Sequence, residues 1–271
     1  MISIGADPEV LLKNKQGEYV AACGLYPGSK ESPHDMDDDW SIQVDNVSLE
    51  FNIKPAHTLG HWVDRLDKVK KGLSELTAQS DLVPVYESSA IYDMDKLDHP
   101  GAWVFGCEPD FNAWDMATNA NPTHENECFR SAGGHVHLGF TRGMTNQQAI
   151  RACLLMDMVY ALHFVKHENE NDKARRAFYG RAGSMRFKPY GMEYRTASTV
   201  WLRNSELTKQ MYAFAYQVVL VMQNDYMNNN LTDIQSLMEH EELITTCINQ
   251  HKKVDLEYIS SLLRHLGIKG C

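Results

Sequence analysis

Between Ser131 and Phe140 the chain reads Ser-Ala-Gly-Gly-His-Val-His-Leu-Gly-Phe. His135 and His137 fall on one side of an alternation, with Val136, Leu138 and Phe140 on the other. A period of two belongs to a β-strand with two unlike faces, so this stretch commits the chain to a sheet. The polar face carries imidazoles instead of the Ser, Thr or Lys of an ordinary wet face.

The pattern recurs three times. Asp7 and Glu9 stand two apart in Gly5-Ala6-Asp7-Pro8-Glu9-Val10-Leu11-Leu12. Glu50 alternates with Val47, Leu49, Phe51 and Ile53, and Glu193 and Arg195 are two apart in Gly191-Met192-Glu193-Tyr194-Arg195. These four segments offer carboxylates, imidazoles and an arginine from one sheet face, while their other faces are apolar enough to lie under helices. Hard oxygen ligands with a few nitrogens and arginine are the composition of a multi-metal, phosphate-handling site.

Each motif has a plainer reading. Asp7 and Glu9 fit a salt-bridging edge, where Pro8 is tolerated. A lone His-x-His suits a solvated surface, although the glycines on both sides suggest close approach of the backbone to a ligand. Glu193-x-Arg195 reads equally as an ion pair. Against that last reading stands the glycine-rich, basic segment before it: Arg175, Arg176, Arg181, Arg186, Lys188 and Arg195 cluster in a chain of net charge −10.

That net charge argues against a nucleic-acid or anionic-membrane binder, but not against small anions held locally. Of 271 residues, 43% are hydrophobic and 10% aromatic, enough for a sizeable core. No apolar run reaches 18 residues, and the first residues lack the basic region of a signal peptide. The expectation is a soluble, cytoplasmic protein. The six cysteines show no Cys-x-x-Cys or zinc spacing, which suits free thiols in a reducing compartment.

In chain order, residues 3–13 and 18–22 predict a hairpin, 24–39 a Gly-, Pro- and Asp-rich loop, and 41–45 with 47–54 two strands joined at the turn-prone Asp45-Asn46. Trp62, Leu66, Val69, Leu73 and Leu76 predict an amphipathic helix over 58–79. Short strands are expected near 82–86 and 102–106, and 106–110 echoes the Gly-x-acid-Pro-acid pattern of residues 5–9. Thr145 opens a long helix to about His167; a short helix spans 171–178, and a basic loop leads to the Glu193 strand. From Ser205 the pattern is helical over 205–227, 232–240, 241–251 and 255–266. The organisation is therefore residues 1–204 as a sheet domain, with 205–271 packed on it.

Taken together, Gly5-x-Asp7-Pro8-Glu9, Leu49-Glu50-Phe51-Asn52, Gly134-His135-Val136-His137-Leu138-Gly139 and Arg186…Glu193-Tyr194-Arg195 resemble the carboxylate–amine ligases of the glutamine synthetase and glutamate–cysteine ligase superfamily, most closely the phage-type carboxylate–amine ligases, type 2. The resemblance runs in order from about residue 3 to 202. It implies an α+β fold: a curved, mainly antiparallel glutamine synthetase-like sheet with the active site on one face, helices on the other, and a helical C-terminal segment.

It also implies an ATP- and Mg²⁺-dependent enzyme, with Mn²⁺ as an alternative ion, joining a small-molecule or peptide carboxylate to an amine through an acyl phosphate. Asp7, Glu9, Glu50, His135 and Glu193 match the metal positions; Asp7 stands where a glutamate is commoner. His135, Arg181, Arg186 and Lys188 are the expected nucleotide contacts, and Arg186, Arg195 and His137 the catalytic set. Asp45 and Glu50 differ in spacing from the glutamine synthetase pair and leave a third metal unassigned. If the chain is phage-encoded, its compartment is the host cytoplasm. The rivals are a guanidino-kinase-like phosphotransferase, a non-catalytic metabolite- or partner-binding protein of the same fold, and a metal-dependent hydrolase. The hydrolase is disfavoured because the His-x-His motif lacks further ligand spacing. The substrates and the oligomeric state are not legible.

Overall fold

The computed structural model describes residues 1–103, 110–120, 124–228 and 233–270. Its framework is an antiparallel sheet, twelve strands among the described residues. The strands that matter are β1 (Ile2–Ala6), β2 (Glu9–Asn14), β3 (Trp40–Asp45), β4 (Ser48–Ala56), β5 (Leu82–Val85), β6 (Val136–Phe140), β7 (Ser184–Lys188) and β8 (Gly191–Tyr194). Across the sheet they run β7–β8–β6–β1–β4, with β3 on the far side of β4. β2 continues from β1 along the same flank of β4, pairing Glu9 with Glu50, and β5 pairs with β2.

The expected strand over 3–13 is thus two strands bent at Asp7-Pro8. Proline has no N–H to give the ladder, but its carbonyl accepts from Phe51 N, and Glu9 N bonds to Gly133 O, so pairing resumes at once. The basic loop expected before Glu193 is a strand: β7 pairs with β8, Arg186 opposite Glu193. Near 102–106, Pro100–Trp103 is a 3₁₀ turn; residues 104–106, most of the 106–110 echo, Cys107 and Cys271 lie outside the described residues. Cys23, Cys128, Cys153 and Cys247 are free thiols.

One face of the sheet is apolar. Ile4, Leu49, Phe51, Val136, Leu138, Met192 and Tyr194 are buried there under α1 (Leu59–Ala78), α2 (Asn146–His163) and α4 (Ser205–Asn228). α1 buries Trp62, Leu66, Val69 and Leu73 and is N-capped by Thr58. α2 begins with a Thr145–Gln148 capping box and is buried on almost every side, so it shows no polar stripe. It ends at His163, and the expected extension to His167 is a separate 3₁₀ turn. After α3 (Glu170–Phe178) and α4 come α5 (Ile234–Met238), α6 (Glu241–Gln250) and α7 (Glu257–His265), all packed against α2. Among the described residues no helix is long and apolar enough to cross a membrane.

Candidate active site

With one face of each strand pinned to the core, the other face must carry the intervening residues. Register then fixes who meets whom. Gly5, His137, Glu193 and Arg186 form one row across β1, β6, β8 and β7, while Glu9, Glu50 and Gln43 form another across β2, β4 and β3. Both rows open on one cavity of about 280 Å³, lined by Asp7, Glu9, Glu50, His135, His137 and Glu193. Lys30, Asp45, Asn52, Arg186, Lys188 and Arg195 complete most of its wall.

The acids fall into two groups. Asp7, His137 and Glu193 bring ligand atoms within 4.8 Å of one another, and so do Glu9, Asp45 and Glu50. In the first, Asp7 Oδ1 lies 2.7 Å from His137 Nε2 and His135 Nδ1 3.7 Å from Glu193 Oε1. Glu193, 1% exposed, pairs with Arg195 and lies 2.9 Å from Lys188 Nζ and 3.6 Å from Arg186. In the second, Glu9 Oε2 accepts from Gly133 N at 2.6 Å, but Glu50 stands directly opposite it. Facing like charges on adjacent strands are destabilising without a counterion.

Electrostatics records the crowding. Desolvation, then Asp45, raises the Glu9 carboxyl to about 8. Desolvation, with Asp7 and Glu9, lifts Glu50 well above the carboxylate range; Asp45 and Glu193 are raised too, chiefly by burial. Burial works against charge on Asp7, yet His137 holds it low. Burial works against charge on His137, but Asp7 outweighs it and raises its pKa. Its ring nitrogens face Asp7 and the Tyr190 hydroxyl, leaving no free lone pair for an incoming amine. His135 is the opposite case. Desolvation, with Arg195 and Arg175, keeps it neutral, and its buried Nε2 has no hydrogen-bond partner.

These residues fit a hard divalent cation. Five carboxylates gathered in a cavity supply oxygen donors, and a neutral imidazole with an unpartnered nitrogen supplies one more ligand.

The structure places several sequence expectations elsewhere. Arg181 is exposed and does not line the cavity; its carbonyl accepts from Thr196. Arg175 and Arg176 are buried supports: Arg175 donates to the Arg195 and Thr196 carbonyls at 3.0 and 3.1 Å, and Arg176 pairs with Glu168 at 2.6 Å. The glycines before His135 serve the protein's own packing. A Cβ on Gly133 would meet the His135 ring, and one on Gly134 the Ser198 carbonyl. Lys30, Asn52 and Tyr190 were missed as site residues, and Asp45 was raised only as an acid for an unassigned third metal. Only Asp45, beside a turn and five residues before Glu50, carried a usable signal. The guanidinium groups of Arg175 and Arg195 lie 5.3 and 5.2 Å from the Tyr179 ring, with the His135 ring at 6.1 Å.

No curated protein matches the sequence. A solved structure described as a novel glutamine synthase homolog is similar over 98% of this chain, at 11% identity and a TM-score of 0.37. This chain spans 66% of that one, just under two thirds of its length. Asp7, Glu9 and Glu50 lie outside the one stretch with a family match. That stretch, residues 123–243, holds His135, His137, Arg186, Lys188, Glu193 and Arg195, and it matches the family described as phage phiEco32-like COOH.NH2 ligase-type 2.

Proposed function

We propose that the protein is an ATP-dependent carboxylate–amine ligase that forms an amide bond through an acyl phosphate. The observation that carries this reading is the union of two acid groups with four cations, Lys30, Arg186, Lys188 and Arg195, in one cavity. Acids alone would suit a cation store, and cations alone an anion site. Both together suit a metal-bound polyphosphate whose terminal group must be held as it moves.

A carboxylate is a poor acyl donor because oxide is a prohibitive leaving group. Transfer of the γ-phosphoryl group to a substrate carboxylate oxygen breaks the bond to ADP and makes phosphate the leaving group. The amine then attacks the carbonyl carbon, phosphate departs, and the amine gives up its proton. Arg195, held on Glu193 and Asp110, presents a planar fork to the transferring group. Arg186 and Lys188 balance charge that develops on its oxygens. Asp7, Glu9, Asp45, Glu50, His135 and Glu193 would hold Mg²⁺ or Mn²⁺, which neutralises phosphate charge and orients the nucleotide. His137, with its ring nitrogens on Asp7 and the Tyr190 hydroxyl, has no free lone pair with which to serve as the amine's base.

The test is incubation with ATP, Mg²⁺ and pooled carboxylates and amines, with phosphate release and mass spectrometry as readouts. An amide product plus equimolar phosphate is expected. A phosphorylated acceptor without an amide, or no ATP consumption with any pool, overturns the reading.

A further inference from the structure

Beside the acid-lined cavity lies a second one of about 260 Å³ with a different character. It sits over β1, whose residues there are small: Ser3, Gly5 and Ala6 form its floor. Ile53 and Pro55 of β4 make one wall and the Tyr190 ring the other. Asn52 and His137 also line the reaction cavity, so the two spaces adjoin.

The register explains why this space exists. One row along from Gly5–His137–Glu193–Arg186, the strands present Ser3, Gly139, Gly191 and Lys188 side by side. Three adjacent strands thus carry a serine and two glycines where side chains would otherwise stand above the sheet. Tyr190, at the tip of the β7–β8 hairpin, folds onto that bare stretch. A Cβ on Gly139 would meet its carbonyl at 2.5 Å and its ring at 3.0 Å. The hydroxyl is hydrogen-bonded to His137 Nδ1 and the two rings stack at 5.8 Å and 30°. The ring is therefore fixed in place, yet Tyr190 stays 39% exposed: an aromatic wall on one side of an apolar slot.

We infer that this slot binds a planar aromatic ring carried by one of the two reactants, with its edge toward the Asn52 amide. The inference rests on the reaction assigned above only for the identity of that carrier. A flat ring gains most from an aromatic wall and a floor of small residues, and a single amide supplies both a donor and an acceptor for a ring edge. A charged or branched group would desolvate against Ile53 and Pro55 without a partner. The carrier is either the nucleotide, through its base, or a substrate with an aromatic side chain.

The test titrates adenosine, phenylalaninamide and Mg·tripolyphosphate separately into the full chain, followed by NMR. The proteins are the unmodified chain, Tyr190→Phe, Tyr190→Ala and Ser3→Leu. At least one ring compound is expected to bind. Tyr190→Ala, which removes the wall, and Ser3→Leu, which fills the floor, should each weaken it about tenfold, the size of one lost stacking partner. Tyr190→Phe, which keeps the ring, should not. Binding of adenosine assigns the nucleotide base; binding of phenylalaninamide alone assigns a substrate side chain. If neither ring compound binds, or neither Tyr190→Ala nor Ser3→Leu affects it, the slot assignment falls; should Tyr190→Ala fail to fold, Ser3→Leu decides. Mg·tripolyphosphate reports the phosphate site independently, so its failure to bind counts against the ligase reading and leaves the ring result standing.

Discussion

Glu193 is where the two readings of a Glu-x-Arg strand separate. It does pair with Arg195, as a bland ion pair would, but Lys188 at 2.9 Å, Arg186 at 3.6 Å and His135 at 3.7 Å share the same carboxylate. One anion shared among so many positive groups, at a cavity wall, suits the ligand position proposed for it better than half of a pair. Glu193→Gln should therefore lower turnover by at least about 100-fold, a transition-state loss of the usual electrostatic size. The metal-free melting temperature should move little, because Arg195 retains Asp110 at 3.5 Å. Turnover near normal, or inactivity matched by unfolding, would return Glu193 to a structural role. The sequence showed the acids because period two is insensitive to loop geometry. It could not show Lys30, which reaches the cavity from a loop, or Tyr190, which reaches His137 from a hairpin tip; neither obeys a period. It misplaced Arg181 because composition records charge density but not direction, and here a turn points that side chain into solvent.

At the level of elements, the basic stretch between α3 and β8 divides into two jobs. Strand period places Arg186 and Lys188 on the cavity face of β7. Helix α3 places Arg175 and Arg176 inside, fully buried, where they hold the chain leaving β8 by its carbonyls. Arg176 bonds to the Gly180 and Thr196 carbonyls and to Glu168, whose carboxylate also accepts from Tyr160 at 2.6 Å. The loop expected here became a hairpin because Met185 and Phe187 alternate with Arg186 and Lys188, a period masked by the number of charges. Arg176→Met leaves Glu168 buried with its main cation gone, and should cost on the order of 3–5 kcal/mol. Adding Glu168→Gln should recover part of that loss, since the uncompensated charge is then removed. Denaturant unfolding of the two proteins checks this; a double variant no more stable than the single one would mean that the arginine's carbonyl bonds, not the ion pair, dominate.

For the whole molecule, the acids of the cavity couple folding to pH, and the proposed metal site would couple it to a divalent cation. Glu9 titrates near 8 in the fold, against 4.5 for a free glutamate, and it faces Asp45, Glu50 and the Gly133 amide, with Lys30, Arg175 and Arg195 as the nearby cations. A carboxyl whose folded pKa is raised is favoured by the fold while protonated. Its contribution is complete below the unfolded value and is lost as pH rises through the folded one. Glu50, Asp45 and Glu193 are raised and act in the same direction, as does His137, whose raised pKa favours the charged form at low pH. His135, His163 and His251, kept neutral by burial, oppose them, but only up to about the ordinary histidine pKa near 6.5. Above that the opposition ends, so the metal-free protein should lose stability between pH 6.5 and 8.5. A site shifted as far as Glu9 contributes on the order of 5 kcal/mol over its full range. A divalent cation held as proposed would bind the deprotonated acids of the folded state and not those of the open chain, and so would supply the missing counter-charge where the loss is greatest. Melting temperatures in EDTA should fall across that interval, and excess Mg²⁺ or Mn²⁺ should raise them more at pH 8.5 than at pH 6.5. A metal effect that is absent, or equal at both pH values, would mean that the two acid groups do not hold the ion.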